Sequence, residues 1–402
     1  RVLAQDDTVA PMSATAVTSV AHRRRRERAR AWLESRGQSE ELLVVGATLD
    51  GPNEIARAVA KDKRVAFGWH RLSFSQLVFA IAAPAHTGRG LVPLSRVGTE
   101  AIVAGLVHRL KTDGRLKHYE AVADAPGFPH AIAGVIAELR SARVRSDAVT
   151  SVAPDLVTII ETYERELEDG SFCDWPGVLA LATDAIGSPD RHRLIGLPTV
   201  LLDVPIATEA ELAFVTALAA AAPAMLATIP AADAATLGRF RDRLGWKVED
   251  LDQLPTAREP SGPATGALAR LQRHLFNEYE KPPEAKADNE IEVFSAPGEG
   301  RECVEIVRRV IALARDGIPF DRIAVLLRSP EDYRAHLKEA FARADVPVHF
   351  ARGAVRPDPV GRAFFALLEC AVEGLSARKF AEYLSLGQVP DATPAEMAPD
   401  AR

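Results

Sequence analysis

Two glycines, Gly46 and Gly51, have four residues between them and directly follow the apolar run 42–45. This spacing matches the glycines of the pattern G-x4-G-K-[ST], in which a lysine reaches nucleotide phosphates and a hydroxyl holds Mg²⁺. Pro52 and Asn53 stand where the lysine and the Ser or Thr are required. The window therefore predicts a degenerate nucleotide-binding turn, although an ordinary strand–turn–helix unit explains it as well. The predicted remnant comprises Gly46, Thr48, Gly51 and Asn53.

An aspartate follows a second buried apolar run. Residues 197–204, LPTVLLDV, are typical of a buried parallel strand, and Asp203 lies at its end. An acid at that place holds Mg²⁺ in nucleotide sites. The next residue is Val204, so no adjacent acid is available to position a hydrolytic water. Capping of the following helix explains Asp203 equally well. We expect ATP and Mg²⁺ only if this degenerate site still binds them, and no other cofactor or metal.

Composition limits the class of protein. The chain has 402 residues, 47% hydrophobic and 26% charged, which predicts two or three globular domains. A net charge of −6 argues against a uniformly basic coat but not against a local basic groove. No apolar run has transmembrane length, no secretory signal opens the chain, and three scattered cysteines form no disulfide or metal pattern. These features predict a cytoplasmic protein without membrane contact.

The elements that must position these residues alternate in type. Residues 1–38 are predicted to be a disordered tail followed by a helix with six arginines, which can contact phosphates but more often form a solvated face. Apolar runs predict strands at 42–45, near 64–67, at 197–204 and at 223–229, with helices between them. Helical patterns recur at 97–112, 128–142, 151–168 and 175–186.

The predicted fold class is α/β, with two RecA-like parallel-sheet domains and a largely helical insertion in the first. Segments 39–84 and 195–250 form the first domain, and 85–194 forms the insertion. A Pro- and Gly-rich linker spans 251–290. Strands predicted at 291–296, 322–329 and 346–351, separated by helices, form the second domain at 291–352. Residues 353–402 begin a further helical domain.

The stretch 291–350 resembles the second motor domain of UvrD-like superfamily 1 helicases. It carries a predicted strand, a helix headed by Arg301 and Glu302, and then GIPFDRIAVLLR at 317–328. The chain as a whole resembles the N-terminal part of the B subunit of AddAB-type ATP-dependent helicase–nucleases and of related PD-(D/E)XK nuclease family proteins. The resemblance implies that Arg328 faces nucleotide phosphates.

The resemblance also implies partners: DNA, as a single strand or a duplex end, and a helicase–nuclease A-type subunit. It places a DNA-facing segment at 69–74, WHRLSF, where Trp69, Arg71 and Phe74 are the candidates. Ordinary core packing is the favoured alternative for this segment.

The sequence departs from the family where its nuclease chemistry would lie. No PD…(D/E)-x-K arrangement follows residue 360, and no C-x-x-C spacing for an iron–sulfur cluster occurs. We therefore expect the nuclease domain to lie outside this sequence, which begins with Arg1 rather than methionine.

Three functions are compatible with these features. The leading hypothesis is a helicase-like, ATPase-inactive scaffold portion of a DNA-end-processing helicase–nuclease, which serves double-strand break repair and recombination. No residue is assigned a catalytic role in this chain, although its parent protein is expected to be an enzyme subunit. The alternatives are an active superfamily 1 ATP-dependent DNA helicase, and a protein-interaction scaffold that docks through 85–194 without touching DNA.

Overall fold

The chain divides into two units, Arg1–Glu290 and Ile291–Arg402. A computed structural model defines most of both. The described residues are 13–36, 40–63, 67–151, 153–189, 191–253, 266–275, 281–284, 288–350 and 359–386.

These residues form eight strands and fourteen α-helices. The strands are β1 (Ala14–Ser19), β2 (Leu42–Gly46), β3 (Trp69–Ser73), β4 (Val92–Pro93), β5 (Phe172–Cys173), β6 (Thr199–Leu202), β7 (Met225–Pro230) and β8 (Lys247–Asp250). The helices are α1 (His22–Glu34), α2 (Asp50–Lys63), α3 (Phe74–Gly88), α4 (Arg96–Thr112), α5 (Phe128–Ser141), α6 (Pro154–Asp169), α7 (Trp175–Gly187), α8 (Glu209–Ala221), α9 (Ala234–Gly238), α10 (Ala267–His274), α11 (Glu299–Arg315), α12 (Pro330–Arg343), α13 (Pro359–Val372) and α14 (Ala377–Ser385).

Six strands of the first unit form one parallel sheet in the order β3-β2-β6-β7-β1-β8. The α/β class with a parallel sheet is thus confirmed. From β2 the chain moves outward to β3, whereas from β6 it moves the other way to β7. Loops leaving these two neighbouring strands therefore diverge, and a crevice opens between them at the carboxyl edge. Open parallel sheets bind ligands at such switch points.

Helices cover both faces of the sheet because side chains alternate between its faces along each strand. Leu43 and Val45 point to a core formed with α3, α7 and α8. Leu42 and Val44 point to a second core formed with α1 and α2. Burial on both faces explains why the sequences of these strands are continuous apolar runs rather than alternating ones.

Strand β1 corrects the prediction of a disordered tail before the arginine-rich helix. Ala14–Ser19 lies between β7 and β8, and Ala16 and Val17 are fully buried. Its letters, ATAVTS, are small or β-branched, which suits a pleated strand buried on two faces. Composition alone missed it because the run is short and half of its residues are polar. Residues 1–12 lie outside the described residues.

Strand β3 lies later than predicted. The sequence placed it near 64–67, of which 64–66 are outside the described residues, while the strand forms at Trp69–Ser73. Gly68 precedes it with φ +76°, a left-handed turn that glycine adopts readily. The helix that follows, α3, is anchored by Leu77, Val78 and Ile81, which are fully buried.

The four helices predicted between residues 97 and 186 are present as α4 to α7. Helices α4, α5 and α6 share a core of their own, with Tyr163 fully buried at its centre. Helix α7 instead packs into the core of the sheet through Val178 and Leu179. The short pair β4–β5 lies within this helical region and joins residues 92–93 to residues 172–173.

The second unit differs from prediction. Its described residues form α11 to α14 and no strand, so the predicted strands 291–296 and 322–329 are extended segments, as is the described part of 346–351. Val293 and Leu326 are 92% and 93% exposed. A parallel strand requires hydrogen-bonded neighbours and two covered faces. No strand pairing forms within 288–350, although Ile323, Leu327 and Val346 pack on the core of this unit. A second RecA-like domain therefore stays a hypothesis. The described part of 353–402 is helical, as predicted, and forms α13 and α14.

Candidate functional site

A cavity of about 180 Å³ lies at the carboxyl edge of the sheet, where the loops after β2 and β6 diverge. Four of the residues predicted as the nucleotide remnant meet there: Gly46, Thr48, Gly51 and Asp203. Asn53 does not line the cavity. It lies in the first turns of α2, where its N–H donates to the Leu49 carbonyl at 3.1 Å.

The turn after β2 explains its first glycine. A Cβ on Gly46 would stand 2.6 Å from both the Pro52 side chain and the Thr48 carbonyl, closer than real Cβ atoms approach other heavy atoms. Gly51 has open space around it, so a side chain would fit there. Of these two glycines, the tight turn thus requires only Gly46, and Gly51 lies inside α2, which begins at Asp50.

Asp203 is held by side chains from two other elements. The Arg25 guanidinium donates to both carboxylate oxygens of Asp203, from Nε to Oδ1 at 3.0 Å and from Nη2 to Oδ2 at 2.9 Å. The Thr228 hydroxyl donates to Oδ1 at 2.7 Å, and His22 Nδ1 lies 3.2 Å from Oδ2. Asp203 has φ +48°, a left-handed conformation that aspartate tolerates better than most residues. It does not cap α8, whose cap is Thr208.

The electrostatics of Asp203 follow from these contacts. Burial disfavours the charged carboxylate, but hydrogen bonds from His22, Arg25 and Thr228, together with the positive charge of Arg25, outweigh it. They hold the pKa of Asp203 well below its usual value, so the carboxylate stays ionised at neutral pH. Arg25 is itself only 5% exposed. The pair is therefore a partly buried salt bridge that connects α1 to the end of β6.

Sequence reasoning missed Arg25, His22 and Thr228 as parts of this site. The signal for Arg25 was its place in an arginine-rich helix, which gives no partner by itself. The structure shows that all six arginines of that run lie beside carboxylates of the same unit. The pairs are Arg23–Glu27, Arg24–Asp252, Arg25–Asp203, Arg26–Glu54, Arg28–Glu249 and Arg30–Glu34.

The segment predicted to face DNA, 69–74, forms edge strand β3 and the first residue of α3. Arg71 is exposed and Trp69 is half-buried against the core that includes α1 and α2. Phe74 is 8% exposed and packs edge-to-face on Phe214 with ring centroids 5.6 Å apart. A base could stack on Phe74 only if the ring left the core, so Trp69 and Arg71 are the accessible members of the predicted set.

Arg328 belongs to the second unit. Its side chain is exposed and lines an apolar groove of about 1190 Å³ between the extended segments and helices α11 and α12. Val325, Leu326 and Val348 are among the apolar residues of this groove. Its positively charged or imidazole side chains, among the described residues, are Arg328, Arg334 and His349.

Within the described ranges, no group of three or more His, Cys, Asp or Glu side chains is placed to hold a metal ion. Cys173, Cys303 and Cys370 are buried free thiols, and burial raises the pKa of Cys173 to about 11. No described helix has both the length and the apolar character needed to cross a membrane.

These features define a doubly wound parallel α/β protein with a site at the carboxyl edge of its sheet. Two curated proteins match the sequence, and each is named as the B subunit of an ATP-dependent helicase/deoxyribonuclease. The protein of Symbiobacterium thermophilum is 27% identical over 342 residues, which cover 75% of this chain and 29% of that protein. The protein of Bacillus subtilis is 32% identical over 114 residues, which cover 27% of this chain and 10% of that protein.

No protein-family profile matches the chain. The chain is thus similar to helicase/deoxyribonuclease B subunits, and it matches less than a third of the length of these relatives.

Proposed function

We propose that this chain is a helicase-like, ATPase-inactive scaffold portion of a DNA-end-processing helicase–nuclease that acts in double-strand break repair and recombination. The similarity to two B subunits supports the general role. The cavity at the switch point supports a retained nucleotide-type fold, with the Gly46 turn and Asp203 as its remnants. The proposal includes a cytoplasmic location, an A-type partner subunit, and a helicase-like second motor domain within 291–352.

ATP with Mg²⁺ does not fit the residues of this site. Pro52 and Asn53 replace the lysine and the hydroxyl that would hold phosphate and metal. Asp203, the acid that would bind the metal, is already neutralised by Arg25 at 2.9 and 3.0 Å. Val204 supplies no second acid for a hydrolytic water. The Arg25–Asp203 pair is the observation that carries the proposed loss of ATPase activity.

We expect the purified chain to hydrolyse no ATP above the buffer background, with or without single-stranded DNA. A coupled phosphate-release assay with Mg²⁺ measures this directly. Arg328→Ala is the matched variant, because Arg328 is the residue to which the helicase resemblance gives a phosphate-facing role. Steady turnover that survives purification and disappears in Arg328→Ala would establish the active-helicase alternative.

We expect the chain to bind a single-stranded oligonucleotide without sequence preference, and more weakly as salt rises, because phosphate contacts release counterions. Fluorescence anisotropy at several salt concentrations gives the affinity and its salt slope. Arg71→Ala should reduce that slope by about one unit, as expected for one lost phosphate contact.

The control for this experiment is Arg57→Ala, which removes an exposed arginine of α2 and should leave the slope unchanged. Absence of binding at low salt would remove the DNA role for this chain. It would favour a protein-interaction scaffold instead.

A further inference from the structure

Arg25 sits in a shell of oxygen atoms. Its Nη1 donates to the Ser19 carbonyl at 2.5 Å, while Nε and Nη2 donate to the two Asp203 oxygens. The Thr228 hydroxyl contacts Asp203 Oδ1 at 2.7 Å. The positive charge of Arg25 is therefore surrounded by the Asp203 carboxylate and a main-chain carbonyl, and the Thr228 hydroxyl supports that carboxylate. Hard divalent cations prefer oxygen donors of these kinds.

The shell is built into the fold rather than assembled from surface groups. Ser19 ends β1, Asp203 follows β6, and Thr228 lies on β7, which stands between those strands in the sheet. Ser19 is fully buried and Thr228 is 3% exposed. Three parallel strands thus bring these oxygens together at one edge of the sheet.

We propose that this shell is a cation site of the fold and that the guanidinium of Arg25 permanently occupies it in place of a divalent metal ion. The inference rests on the proposed loss of ATP binding and hydrolysis and extends it. The site has lost residues that would bind phosphate and metal, and in addition the Arg25 side chain fills the position of the metal. A built-in cation neutralises Asp203 at all times, so neither nucleotide nor metal is required to keep α1 on the sheet.

The test is to remove the guanidinium and ask whether a metal takes its place. In Arg25→Ala, a few millimolar MnCl2 should raise the Tm by about 3–5 °C, as expected for a ligand at roughly ten times its Kd on a domain of this size. Mn²⁺ is suitable because it accepts both carboxylate oxygen and imidazole, and His22 stands beside the site. The wild-type chain should show no such shift.

Two controls separate this site from a general effect of freeing a carboxylate. Arg28→Ala frees Glu249, which Arg28 contacts at 3.1 Å from the same helix, and it should gain no Mn²⁺ shift. Arg25→Ala combined with Asp203→Ala should lose the gain. If Arg25→Ala fails to fold, Arg25→Gln keeps a donor for the Ser19 carbonyl while removing the charge, and it should gain the same shift.

A folded Arg25 variant whose Tm does not respond to Mn²⁺ would overturn the cation site, and so would a wild-type chain that responds equally. Either result leaves the proposed function standing if ATP turnover is still absent. Conversely, ATP turnover by the wild-type chain would remove the proposed function whatever the manganese measurement shows.

Discussion

Arg140→Ala is expected to lower the free energy of unfolding by about 3 kcal/mol or more, because it leaves the Asp174 carboxylate buried without its counter-charge. Arg140 Nε donates to Asp174 Oδ2 at 2.7 Å, and Nη1 donates to Glu164 at 2.6 Å. The Asp174 side chain is 7% exposed. These contacts join α5 to α6 and to the start of α7. Losing them in Arg140→Ala should therefore weaken the attachment of the helical insertion to the sheet.

Tyr163 lies in the same network. Burial raises the pKa of Tyr163 to about 12, so its hydroxyl keeps its proton at neutral pH. That hydroxyl lies 3.4 Å from Asp174 Oδ2, too far to replace the arginine.

Urea unfolding followed by far-ultraviolet circular dichroism measures the change in the free energy of unfolding in Arg140→Ala. Arg145→Ala is the control, because Arg145 and its partner Asp147 are both well exposed, and such pairs contribute about 0–1 kcal/mol. A loss below about 1 kcal/mol in Arg140→Ala would contradict the structural role given to the network.

Asp155→Ala is expected to cost about 3 kcal/mol, since three backbone N–H groups lose one shared acceptor and each such hydrogen bond contributes about 1 kcal/mol. The N–H groups of Lys117, His118 and Tyr119 donate to Asp155 Oδ2 at 2.8, 2.7 and 3.0 Å. Asp155 is 5% exposed and lies in the first turn of α6. It therefore fixes the loop after α4 against that turn.

Asp155 also makes the free energy of unfolding depend on pH. Burial raises the pKa of Asp155, but the three backbone hydrogen bonds lower it more, and the net pKa lies below the ordinary value of 3.8. A folded-state pKa below the unfolded one stabilises the fold above about pH 4, and this contribution is lost as pH falls through the folded value. Asp155→Asn, which keeps an acceptor but cannot ionise, should lose less stability between pH 7 and pH 3 than the wild-type chain does. An equal loss in both would show that Asp155 does not contribute through its charge.

Sequence reasoning succeeded where a single pattern determines a single element. The runs around 42–45 and 197–204 are apolar on both faces, which is characteristic of a central parallel strand, and β2 and β6 form there. The helices α4 to α7 follow a helical period closed by turn residues, so the sequence predicted them within a few residues. Strand β1 was missed because its strand character depends on neighbours more than two hundred residues away.

The candidate site was predictable only in part. Gly46, Thr48, Gly51 and Asp203 lie at strand ends, and parallel strands bring their carboxyl ends to one edge. The partner of Asp203 was not predictable, because six arginines within one helix are equivalent in sequence and only the helix orientation selects Arg25. In the second unit the sequence predicted strands that do not form. A segment with a β-like pattern does not form a strand without neighbouring strands to pair with.

The position of β1 has a consequence for how the protein folds during synthesis. Ala14 pairs with Met225, and Thr18 pairs with Asp250. A ribosome adds about 5–20 residues per second, so β1 waits roughly ten to fifty seconds for its two neighbours. During that interval its unpaired edges are open to other chains. The core of α4, α5 and α6 lies wholly between residues 94 and 172. We therefore expect this helical region to fold first, before the sheet closes around its own N-terminal strand.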